Sequence, residues 1–332
     1  MDDLADETND IDADAMASAG EPDGERIEVS AAAGAGERLD RFLASQLSGY
    51  SRSRIQRWIA LGAVTCAQRV LANKTRLNGT EQLIVEPQPL EADSAFVAQE
   101  VAFEVIAEQT GFLVVNKPVG LVVHPGAGNW QGTLMNGLLF RFPALAALPR
   151  AGIVHRLDKD TSGLLVVARV EAAREALIGQ LATRTLSRRY LAICQGHVAQ
   201  ALVMDGAIGR DAGNRLRMAV RGDGKSAYTE AEPLAHGTLG DRPVTLMHCR
   251  LRTGRTHQIR VHLAHAGFPL AGDVVYGGSA QHAPRQMLHA WHLALAEPVL
   301  GESGAYRHGP PEDFLAVLSA AGINAEAIPV AD

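Results

Sequence analysis

The sequence holds three cysteines in 332 residues, Cys66, Cys194 and Cys249, and no C-x-x-C pair. An odd number at wide spacing excludes a disulfide framework and a cysteine metal knuckle, so all three read as reduced packing residues of a cytoplasmic protein. No apolar run approaches the roughly 18 residues that a membrane span needs. The first 25 residues contain no Lys or Arg, whereas a secretory signal needs a basic start and then an apolar stretch, so export is not expected. There is no H-E-x-x-H, no phosphate-loop pattern in the glycine-containing stretch Gly111 to Gly128, and no internal repeat. Twelve histidines invite a metal reading, but His257, His262 and His265 lack the spacing of a known ligand set. No metal and no cofactor are expected.

What is present is a globular composition, 47% hydrophobic and 20% charged, in a chain long enough for two domains. The net charge of −6 conceals an asymmetry. Residues 1–25 carry ten Asp or Glu, and setting them aside leaves 27 of the 37 acids against 31 bases. Residues 37–76 carry eight bases, Arg38, Arg41, Arg52, Arg54, Arg57, Arg69, Lys74 and Arg76, against Glu37 and Asp40 alone. A compact basic segment points to a polyanion, here nucleic acid. The acidic segment 1–25 has no aromatic and few large apolar groups, so it is expected to be a disordered tail.

Residues 26–86 read as a small α-then-β module. Leu39, Phe42, Leu43 and Leu47 fall at helical spacing. Ser51 and Ser53 offer caps for a second helix with Ile55, Trp58 and Ile59 as its apolar face and Gly62 as its stop. Short strands are expected around Val64–Cys66, 69–71 and 83–85, with Asn78-Gly79 as a turn. Residues 87–98 read as a linker. Residues 99–332 alternate strands, including Val101, Phe103 and Val105 and then Phe112 to Val115, with helices at about 133–141, 171–183, 256–266 and 312–321. The fold class is α+β with a mixed, largely antiparallel sheet.

The stretch from Gly152 to Ala168 contains the densest chemistry. A polar loop, His155-Arg156-Leu157-Asp158-Lys159-Asp160-Thr161-Ser162-Gly163, is expected between two apolar strands. Composition alone favours a charged surface turn, although loops held by rigid strands are also where sites are built. Asp158 and Asp160 do not make a glycosidase-like pair, because two residues along a loop fix no working separation.

Two resemblances sharpen this picture. Glu37 to Leu43, Ser51 to Ile59 and Gly62-Ala63-Val64 resemble the S4 RNA-binding domain, departing from it at Thr65-Cys66-Ala67, where a valine–asparagine–glycine turn is usual. That resemblance assigns Arg38, Arg41, Arg52, Arg54 and Arg57 to RNA. His155 to Leu164 resembles the H-R-L-D-x-x-T-S-G-L motif of the RluA family of pseudouridine synthases. Asn116-Lys117-Pro118-Val119-Gly120-Leu121 with His124-Pro125, Arg189 to Ala192, Thr253 to His262 and Asp273 to Gly277 resemble further motifs of that family, in its order.

The family resemblance implies an RNA isomerase. Breaking the N1–C1′ bond of uridine leaves an electron-poor sugar and a uracil anion, which returns through C5. A carboxylate can attack C1′ or remove a C2′ proton, and the sequence leaves both routes open. The resemblance makes Asp158 that carboxylate, Arg260 its ionic partner and Tyr190 the ring that stacks on the uracil. Arg156 is expected to fill the gap left by the flipped base. Leu157 and Ile259 are expected to pack at the pocket, and His124, His257, Asn116 and Lys117 to belong to it. Arg255 is expected at a helix start, where phosphate binds. Thr256 to His265 is expected as one helix, with 256, 260 and 264 on a shared face.

The S4-like module before the family's domain implies large-subunit ribosomal RNA, or a pre-ribosomal particle, as partner. The rival readings are a transfer-RNA synthase of the same family, a non-catalytic ribosome-assembly factor, and a nucleoside hydrolase that releases uracil. No membrane is expected, and a monomer suffices.

Overall fold

A computed structural model describes residues 26–67, 69–88, 95–126, 128–214 and 217–329. The expected tail 1–25 and residues 89–94 of the expected linker lie outside them. The described residues form two compact units, one up to Ala95 and one from Phe96 onward.

The small unit packs two helices, α1 (Leu39–Gln46) and α2 (Arg52–Ala60), on four antiparallel strands: β1 (Ile27–Ser30), β2 (Val64–Cys66), β3 (Arg69–Val70) and β4 (Gln82–Val85). Their order is β1-β4-β2-β3. The helical spacing places Leu39, Phe42 and Leu43 against Ile55, Trp58 and Ile59, over Val64, Leu83 and Val85. Burying each such side chain contributes roughly 1.5–3 kcal/mol. Ser51 caps α2, its Oγ accepting from the Arg54 N–H at 3.3 Å, and Gly62 ends it in the left-handed region at φ 76°. Strand β1 was not anticipated. It pairs residue for residue with β4, from Ile27 with Val85 to Ser30 with Gln82.

The large unit is built on a nine-stranded sheet. Its strands are β5 (Glu104–Glu108), β6 (Phe112–Lys117), β7 (Ser162–Ala168), β8 (Ser187–Gln195), β9 (Leu202–Met204), β12 (Thr229–Leu239), β13 (Arg242–Leu251), β14 (Leu288–Ala294) and β15 (Ala305–Arg307), with a separate ribbon of β10 (Ile208–Arg210) and β11 (Met218–Val220). The order is β5-β6-β7-β14-β8-β13-β12-β9, with β15 beside β14. Only β7 and β14 run parallel, over His289–Ser162 and Ala290–Gly163. The sheet is therefore mixed and largely antiparallel.

Both faces of the sheet are covered, with the two-residue alternation that this demands. Leu113, Val115, Leu165, Val167, Tyr190 and Ala192 share one core, which includes residues of α3 (Leu134–Arg141) and α5 (Gln258–His265). On the other face, Phe112, Val114, Leu164 and Val166 meet α4 (Glu171–Ala182), and Leu191, Ile193 and Leu246 meet α6 (Glu312–Ala320). The four expected helices match α3 to α6 closely.

Two expectations change. Val101 and Phe103 precede β5 and pack as partly buried chain against the core beside α3. The segment before the Asp158 loop is not a strand: it touches β7 at the single bridge Ile153–Val167. The next β7 amide, that of Val166, donates to His155 Nε2 at 3.2 Å instead, so the pairing does not propagate. At the start of β7, Gly163 holds φ 115°, and a Cβ there would lie 2.2 Å from the Ala290 carbonyl oxygen. Only glycine permits the parallel contact that fixes the root of the Asp158 loop.

Candidate active site

Segments distant in sequence converge on one open cleft of about 260 Å³. Its wall comes from the 153–161 loop, β8, the β10–β11 ribbon, and the 254–260 segment that leads into α5.

Asp158 opens a tight turn, with the Thr161 N–H donating to its carbonyl at 3.1 Å. Its carboxylate is only 18% exposed, and Oδ2 accepts from Arg260 Nη1 at 3.0 Å. The other edge of the same guanidinium is clamped by Asp273, with Nε and Nη2 donating to Oδ2 and Oδ1 at 2.7 and 2.9 Å. Asp273 and Arg260 are buried, so this bidentate pair holds the arginine at a fixed angle to Asp158. Burial works against ionisation of Asp158, but His257, Arg260 and Arg156 outweigh it and hold the carboxyl below its ordinary value. Burial likewise opposes the charge on Arg260, and the two aspartates more than compensate, raising it.

His257 precedes α5 with a left-handed backbone, φ 57°. Its Nδ1 lies 2.8 Å from the Tyr276 hydroxyl, which accepts from the Met218 N–H at 2.9 Å. Its Nε2 is 3.9 Å from Asp158 Oδ1. Burial lowers its pKa despite the nearby Asp158. Arg260 also lies over the Tyr276 ring, 5.0 Å from its centre.

Tyr190 sits on β8 between Cys249 of β13 and Ala290 of β14. Its ring lines the cleft, and burial pushes its hydroxyl up to about 12, with Arg188 opposing and Asp158 adding. The cleft is thus offered a neutral phenol ring. Arg156 is exposed on the cleft wall, while Leu157 and Ile259 are buried in the core behind it. His124 also lines the cleft, pushed down to about 3 by burial and by Arg156 and Arg150.

Three sequence-based placements are corrected. Lys117 is fully buried outside the cleft lining. Its Nζ donates to the carbonyls of Pro118, Leu121 and Lys159 at 2.8–2.9 Å, tying the end of β6 to the Asp158 loop. Burial pulls its amine down to about 7, against Asp158 and Asp160, and three acceptors are matched only by the three-proton ammonium. Asn116 also lies outside the lining, donating to Glu104 Oε2 at 3.1 Å. Arg255 does line the cleft but not at a helix start: α5 begins at Gln258, and the Arg255 N–H donates to the Gln258 side chain at 2.9 Å. The left-handed His257 delays the helix, which also removes Thr256 from the face of Arg260.

In the small unit, the five nominated arginines divide. Arg38 and Arg52 donate to the buried Asp40 at 3.0 and 2.8 Å, joined by Gln56 at 2.6 Å. Burial opposes the Asp40 charge, but the three donors hold its carboxyl well below the usual range. Arg54 lies over the rings of Tyr50 and Trp58 at 5.1 and 5.4 Å. Arg41 is exposed and Arg57 half-buried.

Residues 111–265 match the model for RNA pseudouridylate synthase, and residues 37–83 match that for the S4 domain. The chain is 44% identical over 302 residues to ribosomal large subunit pseudouridine synthase D of Neisseria meningitidis, covering 86% of this chain and 79% of that one. It is 44% identical to the protein of the same name from Nitrosomonas europaea, covering 86% and 85%. The chain belongs to the RNA pseudouridylate synthase family. It is an isomerase of that family with an S4 domain ahead of the synthase domain. A protein of the same name from Pseudomonas aeruginosa is 42% identical over 86% of this chain and 92% of its own length. Among solved structures, human RNA pseudouridylate synthase domain containing 1 is similar with a TM-score of 0.53 and 30% identity, over 63% of this chain and 84% of that one.

Three parts of this synthase site escaped the sequence reading. Asp273 stood in a quoted motif, and its charge beside an expected helix carrying Arg260 was the available signal. Tyr276 stood in the same motif. Arg188 was hidden in the pair Arg188-Arg189; its two-residue offset from Tyr190 on a strand was the clue.

Proposed function

We propose that this synthase converts uridines of large-subunit ribosomal RNA to pseudouridine in the cytoplasm, with Asp158 acting at C1′ or C2′ of the target ribose. The observation that carries this reading is the Asp158–Arg260–Asp273 arrangement at the cleft. One carboxylate faces the open space, ionised by an arginine that a second, buried carboxylate holds in place. A carboxylate kept ionised where substrate excludes water is what both routes require. Tyr190 supplies the face on which the extruded uracil stacks, and Arg156, on the exposed wall, fills the space that the base leaves. His257 assists by position, its imidazole lying between Asp158 and Tyr276.

The ribosomal substrate is supported by the names of the relatives and by the S4 domain, whose exposed arginines suit a structured polyanion. Among the described residues no helix is long and apolar enough to cross a membrane. The test is carbodiimide and primer-extension mapping of pseudouridine, run on large-subunit RNA and on transfer RNA with the purified chain. Stops at defined uridines of large-subunit RNA alone are expected. Stops confined to transfer RNA would overturn the substrate assignment and keep the chemistry.

A further inference from the structure

Among the described residues, four buried polar atoms of cleft-lining side chains have no hydrogen-bond partner: Arg188 Nε, His124 Nε2, His155 Nδ1 and Thr161 Oγ1. The large majority of buried side-chain polar atoms in folded proteins are paired; nine others among the described residues also lack a partner, so it is the charged member of the cleft set that points to a ligand. Arg188 is the charged member. It is 5% exposed, and no described carboxylate forms an ion pair with it. A guanidinium removed from water without a counter-charge is destabilising, so its retention calls for an anion at some point in the working cycle.

Two placements narrow that anion. Arg188 and Tyr190 are two residues apart on β8, so both side chains leave the same face, about 7 Å apart along the strand. Arg260, the other buried cation of the lining, is already paired with Asp158 and Asp273, whereas Arg150, Arg156, Arg210, Lys225 and Arg255 are half-buried to exposed and suit backbone phosphates outside. Arg188 lies deeper, beside the ring on which the extruded base rests. Gly254 leaves room for it: a Cβ at that position would lie 2.6 Å from Arg188 Nη1.

We propose that Arg188 is a further catalytic residue, donating hydrogen bonds to a carbonyl oxygen of the target uracil and stabilising the anion formed when the N1–C1′ bond breaks. This rests on the reading of the cleft given above. In that step the bonding pair stays with uracil and spreads over N1, O2 and O4. C1′ is taken by Asp158 or becomes part of a glycal after C2′ gives up its proton. Arg188 keeps its own protons throughout. The ring charge is quenched when C5 bonds to C1′, as Asp158 leaves C1′ as a carboxylate or, on the glycal route, returns to C2′ the proton it took; the C5 proton is then lost and N1 takes up a proton, which restores the neutral base. A donor aimed at charge that exists only beyond the ground state accelerates the chemical step without tightening binding.

The test is single-turnover pseudouridine formation at saturating enzyme on a stem-loop RNA carrying a mapped uridine, with affinity measured across salt concentrations. Arg188→Gln is expected to slow the step by about 10²–10³-fold, the loss typical of one oxyanion donor, with affinity and its salt slope unchanged. Arg188→Lys should recover part of the rate. Gly254→Ala, which keeps the guanidinium but displaces it, should also slow the step at unchanged affinity, and it carries the test if Arg188→Gln does not fold. An undiminished rate in these variants overturns the proposal. So does a loss that falls on affinity with the salt slope reduced by about one, the mark of a phosphate anchor. Wild-type protein and Asp158→Asn in the same assay separate the two readings: an inactive wild type fails the cleft assignment, whereas an active wild type with a fast Arg188→Gln fails only Arg188.

Discussion

At the scale of single residues, the site is two carboxylates sharing one arginine. Asp158 is the partly buried end of that chain, at the cleft, and Asp273 the fully buried one. Because Asp158 is held below its ordinary value, it is ionised at every pH above the usual carboxylate range. The chemical step should therefore be level through neutral pH and fall only as acid reaches that lowered value. Arg260→Gln removes the facing charge and leaves burial to push the carboxyl up, so the acid limb of the single-turnover pH–rate profile should move upward; an unmoved limb would deny Arg260 this role. Asp273→Ala strands a buried guanidinium edge and should cost about 3–5 kcal/mol in denaturant unfolding. A cost near zero would mean that Arg260 finds another anchor. The motif that held Asp158 and Arg260 was legible because residue type and chemistry coincide there. Lys117 was misread because a charged residue in a motif resembles a ligand, and nothing local reveals that three carbonyls enclose it.

Elements add a second kind of constraint. In the small unit Asp40 of α1 receives donors from Arg38 just before α1 and from Arg52 and Gln56 of α2, joining α1 to α2. Its folded-state pKa is depressed, so its stabilisation is fully present above the unfolded carboxylate value and is lost as pH falls through the folded one. Amide protection factors in α1 and α2, referred to the intrinsic exchange rate at each pH, should fall in acid for the wild type, and those of Asp40→Asn should be low already at neutral pH. At the β2–β3 turn, Ala67 occupies the left-handed region at φ 46°. Ala67→Gly should raise the stability of the small unit by about 1 kcal/mol in thermal unfolding, because a side chain is penalised there and glycine is not. A lower melting temperature would show that the turn relaxes by another route. Helices α1 and α2 were readable from apolar spacing, caps and stops, and α3 to α6 were expected as ranges that fall on the observed helices. Strand β1 was not, since its partner β4 lies some fifty residues away and a four-residue alternation carries no register. The start of α5 was misplaced because a left-handed histidine leaves no trace in hydrophobic periodicity.

For the whole molecule, the account divides labour between the S4 domain and the synthase domain. Phosphate contacts by exposed arginines provide sequence-independent, salt-sensitive affinity, while the cleft selects and transforms one uridine. Deleting residues 1–86 should weaken binding to large ribosomal RNA fragments more than it slows chemistry on a minimal stem-loop, and equal losses on both would contradict the division. The asymmetry of charge made the RNA-binding end visible in sequence; the cleft itself, assembled from segments as far apart as His124 and Leu288, was visible only through motif order. The most direct test of the central claim pairs two readings on Asp158→Asn: single-turnover pseudouridine formation and RNA affinity. The account predicts no product, with affinity within about threefold of wild type, because the lost group acts on the transition state. Product formed at the wild-type rate, or a loss matched by equal loss of binding, would contradict it.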